Sequence, residues 1–476
     1  MMRKLIISAV IALCSNSVFA GGLMTNTNYH IAFDRMFARG ASMEIDAAYS
    51  NPAGLAWGHE GFQLSLNFQK PWQHRDIETS IPNFLGSNFE KKYNGVASAP
   101  IVPALFASYK KDRWVLSTMI GIVGSGGFVK YDDGVPMFEV PIRAMLAQSK
   151  LMPGMYDYDA QMKGKQYIYG AQLNFTYRIT DNFAAAVGLR ANYYDGYNRG
   201  FVSATTQGVD LINLNLDCIQ RGFGVAPIFS FDYHNGPLTV AARYEFRTKI
   251  ETKNDTKELS GRIKNTDPNT AALMPYIEGE LALAQFGDRV AAYQDGVKTR
   301  YDMPSLFVAA VGYEFTKQLR ATLEYHFFDD KHAIMAGDRQ KELDHGTHEI
   351  LAGVEYDIND KFTVSCGGQR TDYGLSDGYQ QNTSFACDSY SLGLGGAWNI
   401  TDKMRLNVSY FCSLYSDYKK QQDQYQGTPF PGSDTYSRTN LRTVRNRPVD
   451  VPGAFRNDGV PGCPFGETDK SRGSQV

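Results

Sequence analysis

Gly374-Leu375-Ser376-Asp377-Gly378 fits the G-x-S-x-G spacing that can seat a nucleophilic serine on a sharp strand-to-helix turn. The residues around it read as a loop between two strands, so the turn and the α/β sheet that the chemistry requires are not expected. His345-Gly346-Thr347-His348 brings two imidazoles together without a third ligand, and reads as solvated loop and strand start, not as a metal site. Past the N-terminal leader, Cys218, Cys366, Cys387, Cys412 and Cys463 show neither a C-x-x-C pair nor zinc spacing. Cys366 and Cys387 could bridge in an oxidising compartment; isolated packed cysteines are the alternative. No cofactor and no enzyme activity are expected. Non-covalent chemistry suits the residues better. Arg190 and Arg243 each carry a fork that can hold a carboxylate through two parallel hydrogen bonds. Glu245 and other acids could neutralise them instead, and the outcome depends on which elements present these residues and on which face.

Those elements are strands. From Tyr167, the residues Tyr167, Tyr169, Ala171, Leu173, Phe175, Tyr177 and Ile179 alternate with Gln166, Gln172, Asn174, Thr176 and Arg178. After the turn Thr180-Asp181-Asn182, Phe183, Ala185, Val187, Leu189, Ala191 and Tyr193 oppose Arg190 and Asn192. A period of two marks a strand with one apolar face. The unit recurs around Asn235-Gly236, the strongest short hairpin signal, where Leu238, Val240, Ala242, Tyr244 and Phe246 oppose Thr239, Arg243, Glu245 and Arg247. Further hairpins turn at Lys111-Asp112, Thr316-Lys317, Asn359-Asp360 and Thr401-Asp402. Long polar segments separate the hairpins, and aromatics stand at both ends of the apolar faces. Short turns at one end, long loops at the other and aromatic girdles describe an all-β transmembrane antiparallel barrel of about fourteen strands. Tyr169, Leu173, Phe175, Val187, Leu189, Phe229, Phe231, Val240 and Tyr244 should face lipid, and Arg190 and Arg243 the lumen. Arg320 and Arg405 stand too near their turns to anchor a ligand at mid-height.

The composition agrees. Aromatic residues make up 13% of the chain, with 29 Tyr and 28 Phe, and the formal net charge is −2, so nucleic acid is not an expected partner. After the leader no run of about 18 apolar residues offers a helical span, but strands need only alternation. Met1-Met2-Arg3-Lys4, the apolar stretch Leu5 to Cys14 and Val18-Phe19-Ala20 form a secretory signal with cleavage expected after Ala20. Residues 1–20 are thus assigned as signal, 21–59 as an N-terminal segment, 60–445 as barrel and 446–476 as an atypical tail. A run with Phe62, Leu64, Leu66 and Phe68 opens the barrel, and a closing strand is expected near Tyr436 to Val444. There alternation gives way to Arg442, Arg445, Arg447 and a Pro/Gly-rich tail. Val140 to Leu151 and Ala271 to Ala292, with Met274, Ile277, Leu281, Leu283 and Phe286 at helical spacings, predict two amphipathic helices in the loops.

Ala38-Arg39-Gly40-Ala41-Ser42 followed by Asp46-Ala47 and Asn51-Pro52-Ala53-Gly54-Leu55-Ala56 resembles the signature of the FadL/TodX family of hydrophobic-compound transporters. The resemblance implies a plug, or hatch, of residues 21–59 inside the lumen, with Asn51, Pro52, Ala53 and Gly54 holding it as a gate. It implies passive uptake of long-chain fatty acids or hydrocarbons across the bacterial outer membrane, with lateral exit beside a kinked strand. Gly121 and Gly124, followed by Gly126 and Gly127, are the candidates for that kink. The partners implied are a hydrophobic small molecule, outer-membrane lipid and lipopolysaccharide, and the barrel-assembly machinery, with the protein a monomer. The alternative function is a surface receptor or adhesin whose barrel displays long loops; a general porin comes third.

Overall fold

The computed structural model describes residues 28–444 except 100, 266–268, 270, 273, 280–281, 283–290, 426–427 and 438–440. The expected signal, the tail and Cys463 lie outside the described residues. β1 (Gly61–Gln69) and β2 (Pro71–Phe84) lead to a tight turn in which Leu85 and Gly86 both take positive φ. β3 (Ser87–Ser98) and β4 (Val102–Lys111) return from it. β5 (Trp114–Tyr131), β6 (Asp157–Arg178), β7 (Phe183–Thr206) and β8 (Val209–Asn235) are long, and β9 (Leu238–Glu245) and β10 (Glu251–Lys264) both pair with β8. β11 (Tyr276–Glu278) and β12 (Lys298–Arg300) add to β10. A meander follows of β13 (Leu306–Glu314), β14 (Leu319–Phe328), β15 (Thr347–Asp357), β16 (Phe362–Asp372), β17 (Ser389–Thr401) and β18 (Met404–Tyr415). β19 (Tyr418–Tyr425), β20 (Thr428–Ser437) and β21 (Leu441–Val444) complete the described sheet.

All of these pairings are antiparallel, and all six hairpin turns stand where local turn chemistry put them. The ladder runs from β3 through β5 to β8, on through β9 and β13 to β18, then by β21 to β2 and back to β3. Beside the lower rungs, β1 has β4 as its partner among the described residues.

The alternation sorts the two faces. The nine residues expected toward lipid are 40–62% exposed, whereas their neighbours Gln172, Asn174, Thr176, Arg190 and Asn192 are buried inside. β6, β7 and β8 have 22, 24 and 27 residues, well beyond the ~9–11 that cross a membrane as a tilted strand. Their surplus rises at the loop end, where it packs an apolar cluster that includes Val202, Leu214, Phe138 and Ile142. The last two belong to α3 (Pro136–Gln148), numbered after the two N-terminal helices α1 (Ile31–Met36) and α2 (Ala47–Ser50). α3 occupies the region of the first expected loop helix and opens with Pro136, whose missing N–H costs nothing in a first turn.

The second expected helix needs correcting at Ile277, which lies in β11 and pairs with Ile263 of β10. Short apolar runs fit either period, and here an available strand edge takes up the backbone hydrogen bonds of Tyr276 to Glu278. Leu281, Leu283 and Phe286 lie outside the described residues. Cys366 is exposed and Cys387 buried, and no bridge joins them.

Leu189 is 53% exposed at the middle of the lower part of β7. Leu189→Arg should therefore destabilise the barrel by about 2–4 kcal/mol, the cost of a cation on the lipid face near the midplane. A denaturant titration in lipid vesicles showing no loss would refute this register.

Candidate functional site

The N-terminal segment builds the site first. α1 lies on the inner faces of β15 to β18, and it gets that close because the strands carry no side chains beneath it. A β-carbon on Gly353 or Gly367 would stand 2.1 and 1.9 Å from the Met36 carbonyl, and one on Gly393 2.2 Å from that of Asp34. Within α1, Arg35 is wholly buried and pairs with Glu355 of β15, while donating to the Ser365 hydroxyl at 2.8 Å. Glu355 also accepts from Arg320 at 2.7 Å, so Arg320, unsuited to a mid-height ligand, helps to fasten this segment. Arg405 does likewise through Glu44, at 2.5 Å.

The signature residues are the knot of the segment. Arg39 forks onto Asp46, with Nε and Nη2 at 2.6 and 2.8 Å from its two oxygens, and reaches Ser42 and Glu44 as well. The backbone N–H groups of Arg39 and Gly40 donate to Glu324 of β14 at 2.6 and 2.7 Å. Glu324 in turn meets His326, whose other ring nitrogen stands 2.9 Å from Glu349.

Asn51, Pro52, Ala53 and Gly54 are all buried and are brought together on β6 and β8. Asn51 donates to Asp232 at 2.9 Å, the Pro52 carbonyl accepts from Thr176 at 2.8 Å, and the Ala53 N–H donates to Ser230 at 3.1 Å. Pro52 opens a 3-10 helix, Pro52–Trp57, and Gly54 sits against the Ser42 carbonyl with no room for a β-carbon.

Arg190 and Arg243 also come together, both buried in the lumen, but around protein groups. Each pairs with Glu245, and their guanidinium carbons lie 5.7 and 5.0 Å from the centre of the Tyr49 ring. One carboxylate and one aromatic face thus compensate two buried cations, as a low-dielectric lumen demands.

The wall is irregular in β5. Below, Gly121 stands opposite Ala104 of β4; above, Phe128 stands opposite Ser98 of β3. Between them, among the described residues, Ile122 to Gly124 have no ladder pair on that edge, and on the other edge the register against β6 slips between Ile122 and Gly124 and again between Ser125 and Gly127. The extra residue at the first slip is Val123, fully buried, which turns inward over Gly170. A β-carbon on Gly170 would lie 2.5 Å from the Val123 methyls. Pro103 adjoins the end of the lower ladder and has no N–H to extend it.

Sequence reading missed Arg35, Glu324, His326, Glu349 and Glu355 as fasteners. Inward parity was the one available signal, because Arg35 and Glu355 lie 320 residues apart and Arg39 and Glu324 lie 285 apart. Glu324→Ala should leave the Arg39 and Gly40 N–H groups without their acceptor, at about 1–3 kcal/mol each. Hydrogen exchange at residues 39 and 40 should accelerate on the order of 100-fold at ~2.7 kcal/mol, with the barrel still folded. Unchanged protection would show that the strand carboxylate does not hold the segment.

The outer membrane protein beta-barrel domain family matches residues 265–432. Among solved structures, a Pseudomonas aeruginosa FadL homologue superposes with a TM-score of 0.60 at 12% identity, over 89% of this chain and 99% of its own. The Pseudomonas putida toluene transporter TodX superposes with a TM-score of 0.52 at 11% identity, over 91% of this chain and 100% of its own. No curated protein matches the chain in sequence. The chain is a β-barrel protein of the bacterial outer membrane with the FadL-type fold.

Proposed function

We propose that this protein takes up hydrophobic small molecules passively across the outer membrane, with residues 28–59 as a hatch inside a fourteen-strand barrel and lateral release past β5. The observation that carries the reading is the pairing of a segment packed inside the ladder with a stretch of wall whose register against β6 slips twice, between Ile122 and Gly124 and between Ser125 and Gly127. Together they favour a route that leaves the lumen sideways. Energetics support such a route, since each CH₂ loses about 0.8 kcal/mol on passing from an apolar site into water. A hydrocarbon released sideways into lipid avoids that barrier. TodX, of the same fold, is a toluene transporter.

Arg190 and Arg243 then have a conditional role. Tyr49 belongs to the hatch, so its withdrawal uncovers two forks that a fatty-acid carboxylate could share with Glu245. Gly121 and Gly124 flank the bulge at which the wall opens.

The test is a lock. Ala53→Cys with Ser230→Cys joins the hatch to β8 where the Ala53 N–H meets the Ser230 hydroxyl. With the disulfide confirmed, uptake of radiolabelled toluene or oleate by cells should fall at least about tenfold and recover on reduction. Unchanged uptake in the locked protein would mean that the hatch does not move, and would favour a barrel that displays its loops.

A further inference from the structure

At the loop end, separate from the hatch, a cavity of about 900 Å³ opens between the start of α3, the 377–382 loop and β19. That volume falls within the range of small-molecule sites. Its lining is unlike a pocket for hydrocarbon. Tyr301 stands at its inner side, stacked on Tyr194 with ring centres 5.1 Å apart, and both belong to the apolar cluster of the lumen. The surrounding wall is largely amide and phenol, including Asn382, Gln422, Gln424 and Tyr425.

This wall is held by a buried carboxylate. Asp434, fully buried, accepts from Thr79 at 2.5 Å, from the Asn382 and Gln422 amides at 2.9 Å each, and from the Tyr425 hydroxyl. Gln422 donates through Nε2, which commits its nitrogen to Asp434 and leaves its oxygen as the end that can accept. Of the charged side chains, Lys298 and Lys420 line the cavity with Asp377 and Asp423, and Asp434 adds a further carboxylate behind the amides. Lys298 is engaged by Glu251, Lys420 donates to the Gln380 carbonyl, and burial draws the Lys420 ammonium below its usual range.

Aromatic faces combined with groups that donate and accept match hydroxyls, which do both, while the surplus of carboxylates over ammonium groups disfavours an anion. A bare hydrocarbon would strip water from these amides and return no hydrogen bond. We infer that this cavity binds a neutral, hydroxyl-bearing amphiphile such as an aryl glycoside, with the sugar among the amides of β19 and the 377–382 loop and the apolar portion against Tyr301. This goes beyond hydrophobic uptake and is measured without transport.

The full-length protein in lipid nanodiscs is titrated calorimetrically with 4-nitrophenyl β-D-glucoside, 4-nitrobenzoate and toluene. The glucoside should bind at least about tenfold more tightly than either of the others. Gln422→Leu, or the rim variant Gln424→Leu that stands outside the Asp434 network, should weaken it about tenfold in protein that keeps its folded electrophoretic mobility. Equal or tighter binding of toluene or nitrobenzoate, no glucoside binding, or undiminished binding in both folded variants would overturn the proposal. None of these results bears on hatch locking, so either reading can fail alone.

Discussion

In the hydrocarbon core of a membrane no water reaches an unpaired N–H or C=O, and each orphan costs several kcal/mol. The rest of this architecture follows from that penalty. A sheet satisfies it when its ladder returns on itself, and here the ladder does so through a four-residue junction, β21, set between β18 and β2. Once the wall is a ring, period-two alternation dictates that every second residue points to lipid and the others inward. Leu173 and Leu189 are exposed for that reason, as Gln172 and Arg190 are buried for the same one.

The inward residues then raise a second problem. Arg190, Arg243, Glu245, Glu324 and Glu355 are charged or polar in a space largely closed to solvent, and burying a charge without a partner is costly. The N-terminal segment supplies much of the compensation: Arg35 for Glu355, two backbone amides for Glu324, an amide for Asp232 and the Tyr49 ring for two arginines. Removing one partner of a buried pair strands the other at about 3–5 kcal/mol. The segment is therefore held by many such contacts at both of its ends, on β14 to β18 and on β6 to β8. A segment built this way can move as a unit only if its carboxylate and guanidinium partners find new ones.

The strands and their turns were legible because the information is local. Asn235-Gly236 needs no distant partner to make a hairpin, and the Tyr167 to Ile179 alternation declares its own face. The Ala38-to-Ala56 signature set this segment apart from the strands, but its chemistry becomes plain only when Arg39 is seen forked onto Asp46. The fasteners were not legible. Alternation says that Glu355 points inward, but nothing near it in sequence says that it waits for Arg35, 320 residues away. Ile277 was misread for a different reason, since three residues are too few to separate a helical period from a strand that borrows a neighbouring edge. The cavity at the loop end was equally hidden, because α3, the 377–382 loop and β19 meet there only in three dimensions.

The break in β5 stands against the penalty with which the fold begins, for among the described residues Ile122 to Gly124 have no ladder pair on one edge. Irregular backbone at membrane depth is tolerated when it is buried in protein or lines a cavity. Val123 meets part of that condition: its side chain turns inward, into the cluster with Ile168 and Tyr194, at the slipped register. Gly170 on β6 makes the space, and Pro103 on β4 adjoins the break with no N–H left to satisfy. Filling the space should therefore close or displace the break. The bulge, the glycine opposite it and the proline beside it act as one device, in which each residue removes a cost that the other two would otherwise impose.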